Sequence, residues 1–95
     1  MAKLTEAEIA ARLPAAKGWE RLGDMLVRSW QFPSSRRALE FVAAVVDLAE
    51  RSGHHPDIVL SYRNVRLELS THAEGGITEA DFRLLAEVES ISTDR

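Results

Sequence analysis

Asp57-Ile58-Val59-Leu60-Ser61-Tyr62-Arg63-Asn64-Val65-Arg66-Leu67-Glu68-Leu69-Ser70 is the stretch whose reading decides the fold. Val65, Leu67 and Leu69 alternate with Arg66, Glu68 and Ser70, the period of a strand buried on one face and wet on the other. Ile58, Leu60 and Tyr62 alternate with Asp57, Val59 and Ser61 in the same way. Arg63-Asn64 supplies a two-residue hairpin turn between them, since Asn tolerates left-handed backbone. That turn sets the register and places Asp57 opposite the stretch around Ser70. Tyr62, an apolar ring with a polar tip, is expected in the core.

Working outward, Pro33-Ser34-Ser35 opens a long helix upstream of this hairpin. Its apolar residues Leu39, Val42, Val45, Val46 and Ala49 recur at three- and four-residue steps, and Gly53 is placed to end it. Residues 19–22 and 25–32 read as two further strands joined at Gly23-Asp24. Before them, Thr5-x-x-Glu8 is a capping box that starts a helix carrying Ile9, Ala10 and Leu13, ended by Pro14 and Gly18. Downstream, Gly75-Gly76 closes a loop, and Thr78-x-x-Asp81, with Asp81 as the N3 carboxylate of a capping box, begins a last helix with Phe82, Leu85 and Val88. The order α-β-β-α-β-β-α predicts an α+β two-layer sandwich, a four-stranded antiparallel sheet with helices on one face. Trp19, Trp30, Phe32 and Phe41 are expected to pack in its core.

Size and composition set the limits. The 95 residues are enough for one domain, read as spanning 1–95, and 45% hydrophobic with 28% charged residues is ordinary for a globular protein. The net charge of -3, from 12 basic and 15 acidic residues spread along the chain, leaves no basic stripe for nucleic acid or anionic lipid. No cysteine is present, which excludes disulfides, thiolate catalysis and sulfur-ligated zinc. The N-terminus lacks a signal-peptide pattern, and the longest apolar run, 41–46, is too short for a bilayer. A cytoplasmic protein that binds neither membrane nor nucleic acid is expected.

All three histidines, His54, His55 and His72, lie between Glu50 and Asp81. Imidazole is the side chain that titrates near neutrality, so this is where the chemistry is sought. Glu50 sits one helical step before His54, and Pro56 holds His55 extended. By parity, His72 shares a face with Arg66, Glu68 and Ser70, and the hairpin carries it towards the His54-His55 connection. Three imidazoles are thus expected to converge at one edge of the sheet. A neutral ring accepts a proton while a protonated one donates, and a carboxylate such as Glu50 fixes a tautomer. That is the equipment for eliminating water from a small molecule. Zinc held by three His and Glu50 is the competing reading, disfavoured because adjacent His in extended chain point apart.

These residues, Glu50-Arg51-Ser52-Gly53-His54-His55-Pro56-Asp57-Ile58 with Tyr62-Arg63-Asn64-Val65, Thr71-His72, Gly75-Gly76-Ile77-Thr78 and Asp81, resemble the pterin-4a-carbinolamine dehydratase family. The resemblance is strong over 40–85; the first forty residues agree mainly in the order of helix, hairpin and helix. It implies the same α+β fold and dehydration of 4a-hydroxytetrahydropterin to quinonoid dihydropterin, a hydro-lyase reaction without metal or organic cofactor. By position, His54 and His72 would be the acid/base pair and His55 would orient the pterin substrate. Glu50, Pro56, Asp57, Thr71 and Asp81 would bind or tune. Ile58 stands where many relatives carry Trp and Ala73 where many carry Asp, departures that bear on affinity more than on reaction type.

The family also implies an alternative, a non-catalytic module on the same fold. Relatives serve as a dimerisation cofactor for a homeodomain factor, and others look like assembly chaperones for the carbon-fixing enzyme of photosynthesis. Chaperone-like members tend to lose parts of the histidine set, and this chain keeps all three. A homodimer or homotetramer is expected from the exposed strand edge and the broad apolar arc of the long helix.

Overall fold

A computed structural model describes residues 2–92. Helix α1 (Glu6–Arg12) is followed by a 3-10 turn (Leu13–Ala15), strands β1 (Glu20–Leu22) and β2 (Met25–Gln31), and helix α2 (Ser35–Ser52). Strands β3 (Asp57–Ser61) and β4 (Asn64–Leu69), a 3-10 turn (His72–Glu74) and helix α3 (Glu79–Ser92) complete the chain. The four strands form one antiparallel sheet in the order β1-β2-β4-β3. Each hairpin is local, and the sheet closes where β2 meets β4, with Leu26 opposite Leu69 and Trp30 opposite Val65.

One face of the sheet carries the core. Val65, Leu67 and Leu69 are fully buried, against Leu26 on β2 and against Val45, Leu84 and Val88 of the helices. The aromatic expectation holds. Trp30 lies edge-on to Trp19 at 5.8 Å and 4.8 Å from Phe41, which in turn lies 5.1 Å from Phe32. Arg28 sits opposite Leu67 on this same face. An inward-facing guanidinium is tolerated there because Glu89 of α3 accepts from its Nη1 at 2.7 Å and also accepts from Trp19 Nε1 at 2.9 Å.

Several local expectations are corrected. Ser61 pairs with Asn64, so the hairpin turn is Tyr62-Arg63 and not Arg63-Asn64. The left-handed residue is Tyr62, with φ 56°, a conformation uncommon for a non-glycine residue. Its ring is 73% exposed and not in the core, lying 5.9 Å from the Arg63 guanidinium. Moving the turn back by one residue moves Asp57 from the stretch around Ser70 to Glu68. The shift is two residues, so every side chain keeps its face. In α2 the buried stripe is Ala38, Phe41, Val45, Leu48 and Ala49, whereas Leu39 and Val46 point outward. Gly53 does end α2 as expected, in left-handed backbone at φ 73°, and this releases the chain into His54-His55-Pro56.

Arg12 and Glu79 tie α1 to α3 by an ion pair. Hydrogen bonding to Arg12 lowers the Glu79 pKa from its ordinary value. A depressed carboxylate stabilises the fold above its unfolded pKa and loses that contribution as pH falls through the folded one. The stability difference between wild type and Glu79→Gln is therefore expected to be flat near neutrality and to shrink below the ordinary value of 4.5. Urea titrations of the two proteins across that range check it, and a difference that grows on acidification would refute the assignment.

Candidate active site

The α2-β3 connection and the start of α3 build the innermost part of the site. Thr78 caps α3, with its hydroxyl accepting from Ala80 N–H at 3.2 Å, and Asp81 answers by accepting from Thr78 N–H through Oδ2 at 2.9 Å. The capping carboxylate is fully buried. Its other oxygen, Oδ1, lies 2.6 Å from His54 Nε2. Asp81 therefore closes the helix cap and holds the His54 imidazole at once. Thr71, at the end of the hairpin, adds its hydroxyl to Asp81 Oδ2 at 2.8 Å.

His55 makes a separate pair. Glu50 reaches His55 Nε2 at 2.6 Å, and not His54 as the helical spacing suggests. The reason is Gly53, whose left-handed conformation ends the helix before His54, so i to i+4 geometry no longer applies. Both partners are more than half exposed. Pro56, which follows, is buried and anchors the connection.

His72 forms the third pair, and it is the loosest: Nε2 stands 3.9 Å from Asp57 Oδ2 and the side chain is 80% exposed. The ring lines a cavity of about 280 Å³ together with Asp24, Met25, Asp57, Glu68, Ser70 and Gly75. Glu68 and Ser70, which the sequence places on its face, line the same cavity, although His72 itself lies in the 3-10 turn past the end of β4. Asp24 comes from the β1-β2 turn and Met25 opens β2, and nothing in the local pattern around them announces a role. Their presence follows from β2 pairing with β4, which brings the turn beside the end of β4.

In place of one cluster of imidazoles, the structure shows three separate histidine–carboxylate pairs. Each imidazole has its own carboxylate, His54 with Asp81, His55 with Glu50 and His72 with Asp57. Among the described residues no three His, Asp or Glu side chains gather closely enough to hold a metal ion. His54 and His72 are linked through the chain itself, because Thr71 binds Asp81 and His72 is the next residue. Imidazoles set beside carboxylates in this way suit acid/base chemistry on a small molecule.

The sequence matches the family profile described as Pterin 4 alpha carbinolamine dehydratase over residues 2–91. The chain belongs to this dehydratase family. It is a family of lyases. A protein of Thermomicrobium roseum carrying the provisional name pterin-4-alpha-carbinolamine dehydratase is 46% identical over 93 residues, covering 98% of this chain and all of the relative. A solved transcriptional coactivator/pterin dehydratase from Brucella melitensis superposes with TM-score 0.89 at 33% identity, over 94% of this chain and 97% of that one. A pterin dehydratase-like protein described as a RuBisCO assembly factor in the alpha-carboxysome superposes with TM-score 0.65 at 28% identity, over 77% and 87%. The dehydratase family's fold is therefore the one described above, four antiparallel strands with three helices. Among the described residues no helix is long and apolar enough to cross a membrane.

Proposed function

We propose that this chain dehydrates 4a-hydroxytetrahydropterin to quinonoid dihydropterin by histidine acid/base catalysis, using no metal or organic cofactor. The observation that carries the reading is the set of three histidines, with His54 and His55 each hydrogen-bonded to a carboxylate and His72 exposed in a cavity of about 280 Å³. In the reaction the C–O bond at C4a breaks and the hydroxyl leaves as water after protonation by one imidazole. The proton on the adjacent ring nitrogen passes to another, and a C=N bond forms between the two ring atoms. His54 and His72 serve as the proton carriers, and His55 with Glu50 orients the ring. Pro56, Asp57, Thr71 and Asp81 bind the substrate or hold these groups. The cysteine-free composition supports a cytoplasmic setting.

The same reading includes self-assembly as a homodimer or homotetramer. β3 is an edge strand that exposes Val59 and Leu60, and Leu39 of α2 and Tyr62 stand exposed beside Leu60 around one surface hollow. The second reading, an assembly module without catalysis, is favoured by the assembly-factor likeness alone. Optical measurement of the dehydration of freshly generated 4a-hydroxytetrahydropterin separates the two. Acceleration above the spontaneous rate is expected, with a sedimentation mass at least twice the 10.6 kDa of the chain. A folded protein without acceleration would refute the dehydratase reading, and a monomer would refute self-assembly.

A further inference from the structure

Hydrogen-bond valence around Asp81 carries one step more, which rests on the dehydratase reading and deepens it. A carboxylate accepts and does not donate. Asp81 Oδ2 faces Thr78 N–H at 2.9 Å and the Thr71 hydroxyl at 2.8 Å, so the single Thr71 proton points at Asp81. Thr71 Oγ also lies 2.8 Å from Thr78 Oγ. With the Thr71 proton committed, the Thr78 hydroxyl donates to Thr71, while accepting from Ala80 N–H. The chain of donors therefore runs one way, from Thr78 to Thr71 to Asp81. It leaves Oδ1 as the acceptor for His54, whose Nε2 at 2.6 Å must carry a hydrogen.

We infer that His54 is held as the Nε2–H tautomer and exchanges protons with the substrate through Nδ1, with Thr71 as the positioning residue that holds this arrangement in place. Nδ1 has no hydrogen-bond partner among the described residues. Thr71 has a second hold on the site. Its amide donates to Gly76 carbonyl at 2.9 Å, and its carbonyl accepts from Glu74 N–H at 2.9 Å, closing the loop that carries His72. One side chain and its own backbone thus fix the orientation of His54 and the root of the His72 turn together. Nothing in the local sequence marks Thr71 for this, because the partners lie on α3 and across the loop.

The test reads the tautomer without substrate. Long-range proton-nitrogen correlation on ¹⁵N-histidine-labelled protein, at a pH where the ring is neutral, is expected to show His54 protonated at Nε2 and bare at Nδ1, assigned by loss of its signals in His54→Ala. Thr71→Val is expected to show a mixed tautomer and to lower kcat roughly 10-fold with little change in KM, the scale for losing a hydrogen bond to a charged group. Thr71→Ser, which keeps the hydroxyl, should restore both. A wild-type His54 protonated at Nδ1 overturns the inference, as does a folded Thr71→Val with wild-type tautomer and kcat. Should Thr71→Val not fold, the wild-type spectrum alone decides. A failure of the dehydratase reading shows differently, as absent turnover by a wild-type protein whose tautomer is still measured.

Discussion

His72→Ala is expected to lower the dehydration rate more than ~100-fold, within the range for removing one acid/base group. The same change is expected to leave the melting temperature close to wild type. The side chain is 80% exposed, and its only ion-pair partner among the described residues is Asp57 at 3.9 Å, itself well exposed. Pairs of that kind contribute little to stability. The split between a large kinetic effect and a small thermal one is what distinguishes a proton carrier from a structural histidine. Single-turnover rates and a thermal melt on the same preparation check it. Undiminished turnover in a folded His72→Ala protein would remove His72 from the mechanism and leave proton transfer to His54 and His55.

Asp81→Ala is expected to damage both quantities. The carboxylate is fully buried and receives His54 Nε2, the Thr71 hydroxyl and Thr78 N–H. Truncation leaves these donors without their acceptor and removes half of the α3 cap, a combined cost of about 3 kcal/mol. For a domain of this size that corresponds to a fall in melting temperature of roughly 10–20 °C. Turnover falls as well, because His54 loses the group that orients it. Asp81→Asn separates the two effects. Its amide keeps one acceptor oxygen, so most of the cap survives, but its NH₂ must face one of the remaining donors. A loss of activity larger than the loss of stability is expected for Asn. Melting and turnover both unchanged in Asp81→Ala would show that the buried carboxylate organises neither the cap nor the site.

The contrast between these two residues shows where sequence reading succeeds. His72 and its face are legible because a strand alternates with period two, and the parity from Val65 runs unbroken to Ser70. Asp81 is legible twice, as the N3 carboxylate of a capping box and as a member of the family pattern, and the structure merges the two. The cap orients one carboxylate oxygen and leaves the other for His54. The misplaced hairpin turn did no harm to the site. Moving it from Arg63-Asn64 to Tyr62-Arg63 slides the pairing by two residues, which preserves faces even as it changes partners.

Glu50 was read onto the wrong histidine because a rule for continuous helix was carried past Gly53, where the helix stops. Tyr62 was read as buried because alternation was extended one residue beyond the strand into the turn. Asp24 and Met25 were read only as turn and strand, and not as part of the site. A residue placed by β2-β4 pairing has no neighbour in the chain that reports its destination.

By itself, then, the sequence determined the element order, the buried face of β4, the aromatic core and the grouping of all three histidines between Glu50 and Asp81, because these depend on periodicity, capping and side-chain type within short windows. Only the tertiary structure decided which carboxylate serves which imidazole, that Thr71 links the His54 pair to the His72 loop, and that the β1-β2 turn walls the His72 cavity. Those choices depend on distances of a few ångströms between segments far apart in the chain. Such distances are set by how the sheet and helices pack, and not by the neighbours of any one residue.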